Sequence, residues 1–321
     1  MKPFWDAFPN VAQHLAEVRD VIRAQAESDD GEVRSAIRHL LDASGKMLRP
    51  AFVIIASGFG QPDRTRITRI SAAVEMLHMA TLAHDDIIDG AFVRRGVPTL
   101  YAARGPRTAV LVGDWLFAAC ISQIADFAAP ENSGALSRIV SRICAGEVSQ
   151  SAERHLLHTS VRRYLRRIAG KTAALFALSL YVGARESGCA PELCNRLRRI
   201  GYCLGMGFQI IDDVLDFDQA GRDTGKPTGT DLAQGIYTLP TILALRSDDG
   251  ALAHALGRRP RSRRALSRAA AMIDARGGIA SARALAARYT ERARRETCRL
   301  PAVEARRVLE AVTDMLLHRS Y

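Results

Sequence analysis

This 321-residue sequence predicts an all-α fold, on three observations. Apolar residues make up 48% of the chain and aromatic residues only 6%, so a sizeable core has to be built from aliphatic side chains and alanine. Alanine, leucine and arginine, all good helix formers, dominate, while Gly and Pro are too few and too scattered for the frequent turns of an all-β chain. Apolar residues recur at helical spacing, and no stretch alternates with a period of two. No linker interrupts the pattern, so residues 1–321 read as one domain.

Residues 9–28 form an amphipathic helix with Val11, Leu15, Val18 and Ile22 at helical spacing. A second helix, 32–43, is stopped by Ser44-Gly45. The basic turn Gly45-Lys46-Met47-Leu48-Arg49-Pro50 leads into a buried helix over 51–57. Residues 66–89 are a long helix, followed by the connector 90–98, which contains Arg94-Arg95-Gly96. Helices are expected over 108–127, 136–155, 161–183 and 192–217. Residues 218–235 hold Gly221, Gly225, Gly229, Gly235 and Pro227, which makes them the one long internal loop. Helix resumes over 239–245 and continues with breaks at 257–260, Gly277-Gly278 and Leu300-Pro301.

The net charge of +11 directs attention to anionic partners: phosphates, nucleic acid or an acidic membrane face. Nucleic-acid binding would need aromatic residues interleaved with the basic ones, or a recognised module, and neither is visible. The run Arg258-Arg259-Pro260-Arg261-Ser262-Arg263-Arg264 reads as a solvated loop with, at most, peripheral contact to anionic lipid. The six cysteines form no CxxC pair and read as reduced thiols of a cytoplasmic protein. The first residues lack the apolar core of a signal peptide, and the most apolar window, 108–122, is too short to span a bilayer and carries Asp114. A soluble protein is expected.

The chemistry is concentrated in two copies of one pattern. His84-Asp85-Asp86-Ile87-Ile88-Asp89 places carboxylates at i, i+1 and i+4, and Gln209-Ile210-Ile211-Asp212-Asp213-Val214-Leu215-Asp216 does so again. On a helix the first and third aspartates stack, and the second stands about 100° round the axis. The neighbours Leu82, Ile87, Ile88, Ile210, Ile211, Val214 and Leu215 are apolar, so these carboxylates sit on helices otherwise made for burial. Like charges in one turn repel, and burial increases the cost. A cation relieves it, and an oxygen-only ligand set selects a hard ion such as Mg²⁺, which takes one or two carboxylates plus phosphate oxygens and water. No zinc-like His/Cys cluster competes. Gly-Lys pairs at Lys46, Lys171 and Lys226, with Arg49, Arg94 and Arg95, supply groups suited to phosphate. No GxxxxGK[ST] or GxGxxG is present, so a nucleotide fold is not supported.

Taken in order, Gly-Lys-x-x-Arg-Pro, His-x6-Asp-Asp-x-x-Asp-x4-Arg-Arg-Gly, Gly-Lys-Thr, Phe-Gln-x-x-Asp-Asp-x-x-Asp and Gly-Lys-Pro-x-Gly resemble the trans-isoprenyl diphosphate synthase (polyprenyl synthetase) family over nearly the whole chain. The resemblance implies the isoprenoid synthase type I fold, a single large helical bundle or barrel around a deep central cavity. It implies a homodimer, leaves room for a small regulatory subunit, and implies three Mg²⁺ ions per site. Asp85, Asp86, Asp89, Asp212 and Asp213 would hold the ions, with Asp216 supporting them from behind. Arg94, Lys171, Thr172, Gln209 and Lys226 would contact the allylic diphosphate, and Lys46, Arg49, His78 and Arg95 the isopentenyl diphosphate. The implied reaction is ionisation, condensation and elimination, which explains why no Ser-His-Asp or Cys-His arrangement is present.

On the helical wheel, His78, Thr81, Asp85 and Asp89 share about 80° of arc. In the family, bulky residues four and five places before the first aspartate shorten the product. Here those places hold Thr81 and Ala80, both small, which implies a medium or long all-trans product from a farnesyl or geranylgeranyl primer. Thr81 sits one turn, about 5.4 Å, below Asp85, whereas Ala80 is about 140° off that stripe. Met47 replaces a frequent basic residue, and Ile236-Tyr237 stand where many relatives carry a lysine. A short-chain synthase remains the alternative on product length. A class I terpene cyclase shares the first aspartate motif, but the second triad and Lys46, Arg49 and Arg95 disfavour it. A non-catalytic helical partner would leave both triads unexplained.

Overall fold

The computed structural model describes residues 4–27, 31–152, 154–158, 160–218, 229–260 and 262–317. In chain order the elements are α1 (Pro9–Glu27), α2 (Gly31–Asp42), α3 (Leu48–Ser57), α4 (Arg64–Ile88), β1 (Val93–Arg94), β2 (Val97–Pro98), α5 (Leu100–Phe127), α6 (Pro130–Ala152) and α7 (Val161–Ile168). A π-helical turn, Ala169–Ala173, leads into α8 (Ala174–Glu186), α9 (Pro191–Asp218), α10 (Thr230–Ala233), α11 (Leu239–Arg246), α12 (Ala251–Gly257), α13 (Arg263–Ala275), α14 (Gly278–Thr297) and α15 (Glu304–Leu317). The all-α expectation holds, and helix ends fall at the glycine and proline breaks read from the sequence.

Two compact units share these helices. The first comprises Met1–Ser137, Leu178–Arg198 and Leu300–Leu309, and is built around α4. Asp63 caps α4, its side chain accepting from the Arg66 N–H at 3.0 Å. Ile67, Ile70, Met76 and Leu77 of α4 are fully buried. Gly183 of α8 lies against the Val53 carbonyl of α3 so closely that a Cβ would overlap it. Arg66 closes an ion pair with the buried Glu186 carboxylate.

The second unit comprises Arg138–Ala177, Arg199–Arg299 and Glu310–Tyr321. Its core runs along one stripe of α9, Met206, Ile210, Val214 and Phe217, packed with Tyr164, Leu239, Ile242 and Ile273. That spacing keeps the four α9 residues within about 80° of arc. Gly205 allows the backbone of the π turn to approach, since a Cβ there would stand 2.5 Å from the Ala173 Cα.

Four local features depart from the sequence reading. The connector 90–98 contains a two-stranded antiparallel hairpin, Val93 opposite Pro98 and Arg94 opposite Val97, although no strand was expected. Arg95 and Gly96 form its turn at φ 53° and 82°, the doubly positive geometry of a tight hairpin turn. The helix expected over 161–183 is interrupted by the π turn. The loop expected over 218–235 contains the single turn α10 after Gly229 at φ 72°. Finally, α3 begins at Leu48 rather than 51, because Pro50 is acceptable in a first turn, where its missing N–H has no partner to lose.

The helix α5 is longer than the apolar window suggests: 28 residues, kinked at Gly105 (φ 78°) just before Pro106. By length and composition alone it is long and apolar enough to cross a membrane, contrary to the reading of the 108–122 window. One face, Ala109, Val112, Leu116, Cys120 and Ile124, is buried, while Val110, Leu111 and Ile121 are exposed.

The close approach at Gly205 has a direct consequence. Gly205→Ala is expected to destabilise the fold by about 1–3 kcal/mol through overpacking against Ala173. Gly31→Ala, with nothing within 4 Å of its Cβ, should be neutral or slightly stabilising. Urea unfolding midpoints of the two variants check this.

Candidate active site

In the first unit the last turn of α4 carries Asp85 and Asp86, both buried, and Asp89 is its C-cap residue. No basic residue of that turn offsets the negative end of the helix dipole, which these carboxylates face. Compensation comes from the hairpin. Arg94 donates to Asp86 Oδ1 from Nε at 2.9 Å, and its Nη2 stands 2.8 Å from the same oxygen. Burial raises the Asp86 pKa and the Arg94 guanidinium opposes that rise.

The tight hairpin turn aims Arg95 elsewhere. Its guanidinium lies over Gly45, where a Cβ would make it shift. The following residue, Lys46, accepts from Trp5 Nε1 at its carbonyl (2.6 Å), and its Nζ lies 4.7 Å from the Phe4 ring centre. Arg49, in the first turn of α3, donates from Nη1 to His78 Nε2 at 2.9 Å. A guanidinium has no acceptor, so this His78 nitrogen must be unprotonated. Burial first, then the Arg49, Arg95 and Arg94 charges, hold the His78 pKa well below its ordinary value. Burial also brings Arg49 down to about 10.

The second unit carries the other triad on α9. Asp213 borders the buried stripe and is 6% exposed, while Asp212, about 100° away, is exposed. A hydrogen-bond relay fixes Asp213. Tyr164 donates to Oδ2 at 2.6 Å, Gln209 Nε2 donates to Oδ1 at 2.9 Å, and Thr172 donates to Gln209 Oε1 at 2.7 Å. The π turn places Thr172 for this bond and carries Lys171 beside it. Asp216 accepts from the backbone N–H groups of Thr230 and Asp231 at 3.2 and 3.3 Å, which ties α10 to the triad. Burial lifts Asp213 to about 7 despite the Tyr164 and Gln209 bonds. Burial first, then the charges of Asp216, Asp213 and Asp212, pushes the Asp231 pKa well above its ordinary value.

The first unit therefore holds Asp85, Asp86, Asp89, Lys46, Arg49, His78, Arg94 and Arg95. The second holds Asp212, Asp213, Asp216, Lys171, Thr172 and Gln209. Lys226 lies outside the described residues. Thr81 is half-buried, its hydroxyl donating to the His78 carbonyl at 2.8 Å, and Ala80 is fully buried. Ile236, where a lysine is frequent, is buried at 7% exposure. Sequence pattern does not single out Tyr164, Asp231 or Glu75. Tyr164 and Glu75 are polar residues within apolar runs and Asp231 lies in the segment read as a loop; only Tyr164's place seven residues before Lys171, two turns along a helix, hints at a shared face.

Among the described residues no three His, Cys, Asp or Glu side chains converge into a ready-made metal site. The donors present are carboxylate oxygens, the chemistry of a hard divalent cation, and such an ion takes its remaining ligands from phosphate and water. The residues therefore fit a metal that arrives with a phosphorylated ligand.

The fold is the all-α isoprenoid synthase fold. The sequence profile of the polyprenyl synthetase family matches residues 30–273, and the chain belongs to that family. It is a trans-prenyltransferase, and the family uses divalent metal ions. The chain is 37% identical to heptaprenyl diphosphate synthase component 2 of Geobacillus stearothermophilus, over 97% of each chain. It is 34% identical to nonaprenyl diphosphate synthase of Mycobacterium tuberculosis, over 95% of this chain and 92% of the other. The crystal structure of a polyprenyl synthase from Caulobacter crescentus, complexed with calcium and isoprenyl diphosphate, superposes with a TM-score of 0.91 at 33% identity, covering 98% of this chain and 97% of that one.

Asp213 gives a pH dependence with a defined sign. Its folded pKa, about 7, lies above the ordinary 3.8, so ionisation is costlier in the folded state. Its contribution to stability is complete below about pH 4 and is lost as pH rises through about 7. Metal-free Asp213→Asn should lack this decline, so the stability difference between wild type and variant, followed by thermal melts from pH 4 to 8, should change in that window. A pH-independent difference would show that Asp213 titrates normally.

Proposed function

We propose that the protein condenses isopentenyl diphosphate with an allylic diphosphate, a farnesyl or geranylgeranyl primer, to give an all-trans medium- or long-chain polyprenyl diphosphate. The observation that carries this reading is that each triad has a buried carboxylate held by its own neighbours: Asp86 by Arg94, and Asp213 by Tyr164 and by Gln209, which Thr172 holds in turn. Asp85, Asp86, Asp89, Asp212 and Asp213 would hold Mg²⁺, three ions by the family pattern, and Asp216 braces the second triad through α10. When bound, Mg²⁺ supplies the Lewis-acid neutralisation that lets the diphosphate depart.

The chain's own residues do the rest. Lys171, Arg94, Thr172, Gln209 and Lys226 hold the allylic diphosphate and oppose the charge that develops on it. Arg94, which donates to Asp86 at 2.9 Å, would be the cation beside the first triad for that diphosphate. Lys46, Arg49, His78 and Arg95 orient the isopentenyl diphosphate so that its double bond meets the allylic carbon. The proton released at the end passes to the departing diphosphate, so no side-chain base is required. The apolar helix faces around the aspartates exclude water, which would otherwise quench the cation.

Product length rests on Thr81. It is half-buried on the Asp85 stripe, while Ala80 is packed away in the core, so Thr81 is the stronger candidate for the wall of the chain tunnel. The relatives named for heptaprenyl and nonaprenyl products point the same way. Incubation with labelled isopentenyl diphosphate, farnesyl diphosphate and Mg²⁺ should give metal-dependent products beyond geranylgeranyl length. Thr81→Phe should shorten them, and an unchanged product would remove Thr81 from the tunnel. Absence of elongation with every allylic primer would refute the reading, unless a second protein component restored it.

The protein works as a cytoplasmic homodimer. The six free thiols suit that compartment, and a second copy covers the exposed α5 residues Val110, Leu111 and Ile121. The double variant Leu111→Glu/Ile121→Glu is expected to elute as a monomer in light-scattering chromatography. A monomeric wild type would point instead to a hetero-oligomer, as the name "component 2" of the Geobacillus relative implies for that protein.

A further inference from the structure

Tyr164 is fully buried in the core of the second unit, and its hydroxyl turns onto Asp213. A phenol in an apolar core needs a hydrogen-bond partner, and any backbone carbonyl would serve. The partner here is instead a carboxylate of the second triad, at 2.6 Å, the short distance of a charge-assisted bond. That bond belongs to a longer contact between two segments. Along α9, Gly205, Gln209 and Asp213 follow one another at i, i+4 and i+8, so they share a face. Each meets the segment 164–173: a Cβ on Gly205 would run into the Ala173 backbone, Gln209 accepts from Thr172 at 2.7 Å, and Asp213 accepts from Tyr164. Gln209 also donates to Asp213 at 2.9 Å, which joins the two hydrogen-bonded rungs. In a regular α-helix Thr172 would stand about 80° round the axis from Tyr164. The wider π turn between them reduces that angle, so both side chains reach α9.

Both donors to Asp213 are neutral, a phenol and an amide. They fix the orientation of the carboxylate and leave its charge in place, whereas the donor on Asp86 is the cation Arg94. A carboxylate offers about four lone-pair positions, so two donors leave room on both oxygens for a cation. We propose that Tyr164 is a positioning residue for the metal of the second triad: it acts through Asp213, fixing one carboxylate oxygen while Gln209 fixes the other. This rests on the assignment of Asp213 to Mg²⁺. Tyr164 itself touches neither metal nor substrate. Its hydroxyl orders the carboxylate in advance, so that the remaining lone pairs are already aimed when the ion enters. In Tyr164→Phe the ring still fills the core, but Oδ2 loses its donor and the carboxylate is held on one side only.

The test is calorimetric titration of Mg²⁺ into the wild type, Tyr164→Phe, Asp213→Asn and the double variant, each with excess farnesyl thiodiphosphate and with the titration into analogue alone subtracted. Tyr164→Phe should weaken Mg²⁺ binding by about ten- to hundredfold, the loss expected when an outer partner of a metal ligand is removed. The double variant should bind no more weakly than the poorer single variant, because both changes act through one carboxylate. In steady-state kinetics the Mg²⁺ concentration that gives half the maximal rate should rise in parallel, with the KM for isopentenyl diphosphate unchanged at saturating Mg²⁺. A tyrosine that only fills the core would lower the melting temperature of the metal-free variant and leave Mg²⁺ binding at the wild-type level. That result, or effects that multiply in the double variant, overturns the proposal. If Asp213→Asn weakens Mg²⁺ binding and Tyr164→Phe does not, only the Tyr164 role falls. If Asp213→Asn leaves it unmoved, the assignment of Asp213 to Mg²⁺ falls, and the Tyr164 role with it. Should Tyr164→Phe fail to fold, 3-fluorotyrosine in place of Tyr164, which keeps the ring and donates more strongly, decides: a changed Mg²⁺ affinity supports the role, and an unchanged one overturns it.

Discussion

Negative charge is buried here at helix positions made for apolar packing, and much of the local structure follows from compensating it. Asp86 lies in the last turn of α4, where there is no basic residue, and the hairpin brings Arg94 onto it. Asp213 borders the apolar stripe of α9, and Tyr164 and Gln209 bond its two oxygens. Neither solution is complete, since burial still raises the pKa of both carboxylates. That residual cost is what a divalent cation would remove. Among the described residues no ready-made metal cluster forms, and Asp86 and Asp213 are each compensated by their own neighbours.

The irregular pieces of backbone serve the same purpose. A two-residue hairpin separates neighbouring arginines, sending Arg94 to the first triad and Arg95 over Gly45. A five-residue π turn interrupts an otherwise regular helix where Lys171 and Thr172 are needed, and Thr172 completes the relay to Asp213. The short α10 presents two backbone N–H groups to Asp216. Each departure from regular helix costs local stability, and each ends at a charged group of the proposed chemistry.

What the sequence could show depended on the length of the signal. The long helices carry many turns of apolar spacing, so α1, α4 and α9 were legible to within a few residues. The two triads and the Gly-Lys pairs were legible because several residues repeat in order. Two-residue strands are too short for alternation to register, and a π turn alters hydrogen bonding without altering composition. Tyr164 and Glu75 were hidden for another reason. A single polar residue within an apolar run looks the same whether it is a satisfied core group or a partner to a catalytic one, and for Tyr164 only its neighbour across the fold, Asp213, tells them apart.

The central claim, that the metal sites are completed by the diphosphate, is tested by calorimetric titration of Mg²⁺ into the metal-free protein with and without a non-hydrolysable allylic thiodiphosphate. Weak or undetectable Mg²⁺ binding to the protein alone, and saturable binding once the analogue is present, lost in Asp85→Asn and in Asp212→Asn, is the predicted result. Equally tight Mg²⁺ binding without the analogue would contradict it.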